Sequence, residues 1–182
     1  MQPVIYDVAV SADGFISGPA GDISKFPHEG EIVDDYFERL KTYPCAIMGR
    51  ATYEFGYGFG LKPGDNPYPH MKTIVFSKSI DLPEEADVIV TRDDAAEHIL
   101  SLKQSCEGPI YLCGGGQFAG SLLSFGLIDR LRLKRAPVFL GDGVRLFGDQ
   151  SQARDAILMD SKLYPNGALY QEFDLQAAVT QS

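Results

Sequence analysis

Residues 110–119 read Ile-Tyr-Leu-Cys-Gly-Gly-Gly-Gln-Phe-Ala, a short apolar run that ends in three glycines. The apolar run predicts a buried strand over Ile110–Cys113, and a helix is expected to open at the glycines and to continue through Phe125. Because glycine has no Cβ, the backbone here can approach a pyrophosphate closely, and the dipole of the following helix favours negative charge. The glycines fit a loose G-x-G-x-x-A spacing. An ordinary dinucleotide-binding motif also requires an acidic residue about 20 residues later, at the end of the next strand. This sequence has no acidic residue at that place.

Strand and helix patterns alternate on the amino-terminal side of this stretch. The predicted elements are strands over Val4–Val10, Cys45–Gly49, Thr73–Ser77 and Asp87–Thr91, and helices over Glu31–Tyr43, from Arg50 onward and over residues 94–105. Residues Phe55–His70 are rich in glycine, proline and aromatic side chains, which indicates an ordered loop. The alternation is typical of a parallel sheet covered by helices.

The carboxyl-terminal part of the chain changes character. Leu131–Leu140, Ile157–Leu163 and Leu169–Leu175 are predicted as strands, and Pro-Asn-Gly at 165–167 joins the last two into a hairpin. The prediction is therefore one α/β domain over residues 1–182, with a mostly parallel central sheet and an antiparallel carboxyl-terminal hairpin. The apolar carboxyl-terminal strands favour a homodimer.

Charge and composition limit the classes of partner. The net charge is −9 and the pI is about 4.7, so the long-range field disfavours nucleic acid and anionic membrane as partners. The cysteines are three in number and form no C-x-x-C pair, which argues against a disulfide framework and against a zinc site. No apolar run approaches the roughly 18 residues of a membrane helix. These features predict a soluble, cytoplasmic protein that binds a small molecule and no metal.

A second anion-binding pattern begins at Gly49. The predicted strand ends in this glycine and is followed by Arg50 and Thr52, so that free amides, a guanidinium and a hydroxyl meet at one helix amino terminus. In the alternative interpretation, Gly49 makes a tight turn and Arg50 is a solvated surface charge.

A third pattern follows the predicted strand that ends at Ser77. This residue and Lys78 place a hydroxyl and a cation at the strand end, and Arg92 follows the next strand and extends the basic rim. In a parallel sheet such ends lie side by side, where two of them can bind the two phosphate regions of one dinucleotide. Each element taken alone also fits an ordinary polar exit from a strand.

Taken together, these patterns resemble the dihydrofolate-reductase-like superfamily, and in particular the reductase domain of bacterial riboflavin biosynthesis. The resemblance extends from Val4 to about Leu175. The stretches that carry it are Ser11–Ile16, Met48–Glu54, Val75–Ser79, Gly114–Gln117, Leu127–Leu131 and Ala136–Gly143. It implies a three-layer α/β/α fold and NADPH as the cofactor.

The resemblance also implies roles for individual residues. The backbone at Ala9 and Ile16 would hold the nicotinamide amide, and Ser77 with Lys78 would hold the 2′-phosphate side of the adenosine. Arg50 and Thr52 would hold the phosphates, and Gly115, Gly116 and Gln117 would hold the pyrophosphate. The strand-end patterns described above add Gly49, Arg92, Gly114 and Phe118 as expected cofactor contacts.

Acidic residues are the candidates for the substrate side. Dihydrofolate reductases carry a buried acid on the first long helix, and that position falls on Val33 here, with Asp34 and Asp35 beside it. These two aspartates are candidates for orienting a substrate ring, or are helix-terminus charges. Asp13 follows the first strand; it is either a proton relay with a raised pKa or a plain turn residue before Gly14.

The expected reaction is hydride transfer from NADPH to a C=N or C=O bond of a pyrimidine or pterin substrate. The favoured substrate is the phosphoribosylaminopyrimidine of riboflavin biosynthesis, and dihydrofolate is the alternative. A hypothesis of another class is a nucleotide-binding module without catalysis, in which the aromatic loop forms a ring-stacking pocket or packs over the sheet edge.

Overall fold

The structure is a computed structural model and describes residues 1–150 and 153–176; the predicted domain over residues 1–182 extends beyond these ranges. The strands are β1 Val4–Val10, β2 Phe15–Ser17, β3 Cys45–Gly49, β4 Lys72–Phe76, β5 Ile89–Thr91, β6 Ile110–Gly114, β7 Arg130–Arg135, β8 Val144–Arg145, β9 Ile157–Leu163 and β10 Leu169–Asp174. The helices are α1 Glu31–Leu40, α2 Arg50–Phe55, α3 Ala95–Ser105 and α4 Gly116–Ser124, with short 3-10 helices at Pro19–Gly21 and Gly56–Phe59.

Eight strands form one sheet in the order β5-β4-β3-β6-β1-β7-β10-β9. Strand β10 is antiparallel to both of its neighbours, and the other seven strands run in one direction. The prediction of a mostly parallel sheet with an antiparallel carboxyl-terminal hairpin is confirmed. Because of this common direction, the carboxyl ends of β1, β3, β4, β5 and β6 lie along the same edge of the sheet.

The two faces of the sheet are covered separately. On one face, α3 and α4 pack onto apolar side chains of the central strands, among them Ile47 and Leu112. On the other face, Leu40 of α1 packs against Ile5 and Tyr111. Successive residues of a strand point to opposite faces, so β1 supplies both layers from one segment. This arrangement is the predicted α/β/α three-layer fold.

The pairing of β1 with its two neighbours differs in length. On the β6 side, the pairing ends at Tyr6 with Leu112, whereas on the β7 side it continues to Val10 with Arg135. Strands β1 and β6 therefore separate at their carboxyl ends. We call this opening, between residues 7–10 of β1 and residues 113–115, the β1–β6 cleft.

The structure corrects several predicted boundaries. Strand β7 ends at Arg135 instead of Leu140, because Pro137 has no N–H for the ladder and the chain beyond it turns toward Asp13. The helix expected at the three glycines begins at Gly116, since the φ of +129° at Gly114 is not helical. The helix predicted over Glu31–Tyr43 ends at Leu40.

The short sheet formed by β2 and β8 was not predicted. Its two strands have three and two residues, too few for a visible alternation of apolar and polar side chains.

Among residues 1–150 and 153–176, no helix combines the length and the apolar character needed to cross a bilayer. At the outer edge of the sheet, β9 exposes apolar side chains, including Leu158, Met159 and Leu163. A homodimer through these strands stays a prediction.

Candidate functional site

The three anion-binding patterns lie at the same edge of the sheet. In the register of the sheet, Gly49 is beside Phe76, and Phe76 is beside Thr91. The residues that follow these strand ends are therefore neighbours in space. The strand ends expected to hold one dinucleotide are thus brought together, as a parallel sheet requires.

Arg50 joins two of these strand ends. Its Nε donates to Glu54 Oε1 at 2.8 Å, and its Nη1 donates to Ser79 Oγ at 2.8 Å. The guanidinium therefore bridges α2 and the loop after β4 and is not a freely solvated charge. Its side chain remains 48% exposed, which leaves it accessible to an anionic ligand.

Ser77 and Lys78 have different environments. The Oγ of Ser77 accepts hydrogen bonds from the amides of Ser79 and Ile80, at 3.2 and 2.9 Å, and so fixes the shape of the loop. Lys78 is exposed at the same strand end. Arg92 is also exposed and donates from Nη2 to the Ile80 carbonyl at 3.2 Å. The basic rim therefore consists of Arg50, Lys78 and Arg92 around one loop.

The three glycines have three different environments. Gly114 has a φ of +129°, and its peptide bond to Gly115 is cis. A Cβ on Gly115 would lie 3.0 Å from Thr52 Oγ1, so glycine allows the Thr52 hydroxyl to approach this backbone. A Cβ on Gly116 would lie 2.3 Å from the Arg145 carbonyl oxygen. Gly116 is therefore needed for packing against the segment after β8, whatever its relation to a ligand.

The first residues of α4 make contacts with neighbouring segments at this edge of the sheet. Gln117 donates from Nε2 to Asp149 Oδ2 at 2.6 Å. The Phe118 ring stacks on Phe76 with their centroids 5.1 Å apart, and a Cβ on Gly49 would lie 3.3 Å from the Phe118 Cβ. Phe118 thus packs between the ends of β3 and β4, and its role at this edge includes packing.

Ala9 lies in β1 beyond the last residue that pairs with β6. Its register partner on the other side is Lys134 of β7. Ile16 is half-buried in β2, after the turn that follows β1. The backbone at Ala9 therefore borders the β1–β6 cleft, where the resemblance places a nicotinamide.

Asp13 differs from the proton relay considered above. Its carboxylate accepts a hydrogen bond from Ser11 Oγ at 2.5 Å and further bonds from the amides of Leu140 and Gly141. The Ser11 bond, followed by those amides, lowers the pKa of Asp13 to about 2. Of the two alternatives for Asp13, the proton relay required a raised pKa, and the lowered pKa contradicts it. The geometry instead favours the turn interpretation, in which Asp13 anchors the segment after β7.

The aspartates of α1 lie in two environments. Asp34 is exposed in the first turn of the helix. Asp35 accepts hydrogen bonds from Lys162 Nζ and from the Tyr164 hydroxyl, each at 2.7 Å, and these bonds lower its pKa. Asp35 thus joins α1 to β9 and the hairpin. Val33, at the position of the family's acid, packs against an apolar cluster.

A polar cluster that sequence reasoning missed lies on the α1 side of the β1–β6 cleft. It consists of Asp7, Tyr36, Arg39, Tyr68, Tyr111, Cys113 and Lys134. Asp7 is completely buried and accepts from Arg39 Nε at 3.0 Å and from Lys134 Nζ at 3.0 Å. Burial alone would raise the pKa of Asp7, but the charge of Lys134 and the hydrogen bond of Arg39 more than offset it and lower the pKa.

The rest of the cluster is neutral and continuous with this ion pair. The Lys134 Nζ lies 3.3 Å from the centroid of the Tyr36 ring. The hydroxyls of Tyr36 and Tyr111 are 2.7 Å apart, and the Tyr68 hydroxyl lies 3.2 Å from Cys113 Sγ. Burial raises the pKa values of all three tyrosines, so these hydroxyls stay protonated. A signal was present in the sequence, since Asp7 interrupts the apolar strand Val-Ile-Tyr-Asp-Val-Ala-Val.

Two open cavities lie outside this cleft. One, of about 790 Å³, is lined by the aromatic loop, with Phe59 and Asn66 among its walls. Among the residues that the structure describes, its lining includes Asp65 and Asp87 and no lysine or arginine, so it does not suit a phosphate-bearing ligand. In that loop Phe55 and Phe59 contact each other, with ring centroids 5.1 Å apart. The other cavity, of about 410 Å³, lies between the residues after Asp13 and those after β8.

The chain is similar to known proteins over most of its length. The uncharacterized protein YwjB of Bacillus subtilis (strain 168) is 30% identical over 164 residues, which cover 90% of this chain and 92% of YwjB. A structure of a putative riboflavin biosynthesis protein from Shewanella sp. PV-4 is similar with a TM-score of 0.80 and 21% identity, over 97% of this chain and all of that one.

The fold extends to dihydrofolate reductase. The enzyme from Enterococcus faecalis, solved in complex with NADP(H) and RAB-propyl, is similar with a TM-score of 0.66 and 20% identity, over 96% of this chain and 97% of that one. The fold is therefore dihydrofolate-reductase-like. The model of the RibD C-terminal domain matches residues 2–170. With nearly the whole described sheet inside that match, the chain belongs to the RibD C-terminal domain family.

Proposed function

We propose that this protein is an NADPH-dependent reductase that transfers hydride to a C=N or C=O bond of a pyrimidine-type substrate. The observation that carries the proposal is the β1–β6 cleft, which opens between a basic, glycine-containing edge and a buried polar cluster. In open α/β sheets, ligands bind outside the carboxyl ends of the strands, where neighbouring strands diverge.

The residues at the edge fit the two ends of NADPH. Arg50, Lys78 and Arg92 surround one loop and suit the 2′-phosphate side, because an additional phosphate requires local cations in a protein of net charge −9. Gly115 and Thr52 form a close backbone-to-hydroxyl approach where the pyrophosphate would lie. The nicotinamide end would then enter the cleft beside Ala9.

NADPH would supply the hydride, and the protein would supply binding, orientation and a proton. The α1 side of the cleft offers hydrogen-bond donors and a cation, which suits a ring bearing carbonyl oxygens or imine nitrogens. The favoured substrate is the phosphoribosylaminopyrimidine that the resemblance to the riboflavin reductase domain implies, and the family and the likeness to a putative riboflavin biosynthesis protein support this choice. Dihydrofolate is less favoured, because Asp34 is exposed and Asp35 is bound by Lys162.

The experiment is to follow NADPH oxidation by loss of the reduced-nicotinamide absorbance against a panel of pyrimidines, pterins and other C=N or C=O compounds. We expect turnover with a pyrimidine. Tight NADPH binding without turnover of any compound would favour the nucleotide-binding module. Failure to bind NADPH would refute the proposal altogether.

A further inference from the structure

The polar cluster carries more positive than negative charge. Its neighbourhood holds three largely buried cations, Arg39, Arg132 and Lys134, with side chains 19%, 16% and 12% exposed. Two largely buried carboxylates, Asp7 and Glu172, face them. Within the described residues, Arg132 Nε is a buried nitrogen without a hydrogen-bond partner. An excess buried cation is unfavourable until an acceptor or anion compensates it.

Lys134 is the cation of this group that borders the β1–β6 cleft. It projects from β7 beside Ala9, and its ammonium reaches Asp7. It also lies close enough to Cys113 of β6 for its charge to act on the pKa of that thiol. Its side chain extends from β7 to β1, where the ammonium contacts Asp7 and the Tyr36 ring of α1.

Every element packed around Lys134 contributes a known group. Strand β1 presents Asp7, α1 presents Tyr36 and Arg39, β6 presents Cys113, and β10 presents Tyr170, the register partner of Lys134, whose pKa is raised by burial. Burial lowers the pKa of Lys134, the charge and hydrogen bond of Asp7 oppose that shift, and the positive charge of Arg39 adds to it. A lysine held in this way releases its proton more readily than a surface lysine.

We propose that Lys134 contacts the reacting C=N or C=O group of the substrate and donates the proton that accompanies the hydride, with Asp7 and Arg39 as positioning residues. The ligand class is a ring with carbonyl or anionic groups on the edge that faces β1. This inference rests on the proposed reductase function for its chemical step, and its binding component can be tested separately.

For a C=N substrate, the carbon would accept the hydride that NADPH supplies, and the π electron pair would move to the nitrogen. The nitrogen would then take a proton from the Lys134 ammonium. NADP⁺ and the reduced amine leave, and solvent restores the proton to Lys134. The neighbouring groups suit this role less well, because Asp13 is ionised in its turn and burial raises the pKa of Cys113 and of the tyrosines.

The first arm of the test measures ligand binding without turnover. The probe is orotate, a pyrimidine with two ring carbonyls and a carboxylate, titrated by calorimetry into protein saturated with NADP⁺. Lys134→Met should weaken orotate binding about tenfold or more, because one charge-assisted hydrogen bond is lost. The matched control is Lys103→Met, which removes another buried lysine, paired with Asp129 at 2.7 Å near the opposite edge of the sheet. It should bind orotate like the wild type.

The second arm separates binding from proton transfer. Lys134→Arg keeps the charge but cannot give up a proton in the accessible pH range, so kcat should fall while KM stays near the wild-type value. The wild-type kcat should decline on the alkaline side at a pH below 10.5, the ordinary lysine value, and this decline should be absent in the variant. Should Lys134→Met fail to fold, this arm still decides the proposal.

Each result supports or overturns either the recognition role or the proton-donor role of Lys134. Wild-type protein that does not bind orotate, or that binds it no more tightly than Lys134→Met, overturns the recognition role. Turnover of a substrate by Lys134→Arg with wild-type kcat and pH profile overturns proton donation while leaving the reductase function intact. Absence of turnover by wild-type protein on the whole panel refutes the reductase function and the proton-donor role with it, and the orotate arm still decides recognition.

Discussion

Lys134 Nζ lies 3.0 Å from Asp7 Oδ1, and the Asp7 side chain is completely buried. The pair joins β7 to β1 on the face covered by α1, and Arg39 of that helix completes it from the other carboxylate oxygen. Buried carboxylates of this kind rarely persist without partners, because removing one charge leaves the others uncompensated. The same ion pair therefore stabilises the fold and forms part of the wall of the β1–β6 cleft.

The first prediction concerns the stability of this pair. Asp7→Asn should lower the free energy of unfolding by about 3–5 kcal/mol, since it leaves two cations without their carboxylate. The control is Asp35→Asn, which removes a carboxylate that is 41% exposed and should cost only about 0–1 kcal/mol. Urea denaturation of the two variants measures both values. Equal losses of unfolding free energy in the two variants would contradict the larger contribution expected of the buried Asp7 carboxylate.

The second prediction concerns acid pH. The folded pKa of Asp13 is about 2, below its ordinary value of 3.8, so its hydrogen bonds add stability above about pH 4, and this contribution is lost as the pH falls toward 2. The stability difference between wild type and Asp13→Asn should therefore be largest near neutral pH and should shrink between about pH 4 and pH 2. A difference that is constant over this range would contradict the assignment.

The third prediction separates two adjacent glycines. A Cβ at residue 116 would meet the Arg145 carbonyl at 2.3 Å, so Gly116→Ala should destabilise the fold by about 1–3 kcal/mol. A Cβ at residue 115 would meet only the Thr52 hydroxyl, at 3.0 Å, so Gly115→Ala should weaken NADPH binding more than stability. Gly58→Ala, with open space around its Cβ, is the control. Thermal melts and calorimetry on the three variants distinguish these outcomes.

The fourth prediction concerns cofactor choice. NADPH should bind more tightly than NADH, and replacing Arg50 and Lys78 by alanine should remove most of the difference. Each charge-assisted phosphate contact is typically worth about 1.5–3 kcal/mol, about tenfold or more in affinity. Lys72→Ala serves as the control. Lys72 is an exposed lysine at the amino end of β4, whereas Lys78 follows the carboxyl end of that strand. Equal affinities for the two cofactors in wild-type protein would refute the 2′-phosphate assignment.

The layout of the fold was predictable because its signals are local. The apolar runs before Gly49 and before the three glycines predicted β3 and β6 to within one residue of their observed bounds. The hairpin was predicted from its Pro-Asn-Gly turn. The strand predicted as far as Leu140 was too long because its end is set by contacts with a distant residue. The amides of Leu140 and Gly141 bind Asp13, and no local pattern encodes that contact.

Only the strand-end residues of the candidate site, where we propose that the cofactor binds, were predictable from the sequence. Glycines and cations at strand ends are visible in sequence, whereas a buried polar cluster is assembled from several elements. Asp7 interrupts an apolar strand, and Lys134 alternates with leucines in β7, so each was visible singly. Their pairing depends on the adjacency of β1 and β7, which the sequence order does not reveal.

Backbone amide chemical shifts of isotope-labelled protein titrated with NADPH test directly whether the cofactor enters the β1–β6 cleft. We expect the largest changes at Ala9 and at residues 113–116, on the two sides of the cleft, with further changes around Lys78. Residues at the opposite edge, such as Val4 and Lys72, should change little. Changes confined to the cavity lined by the aromatic loop, or no change at saturating NADPH, would contradict binding in the cleft.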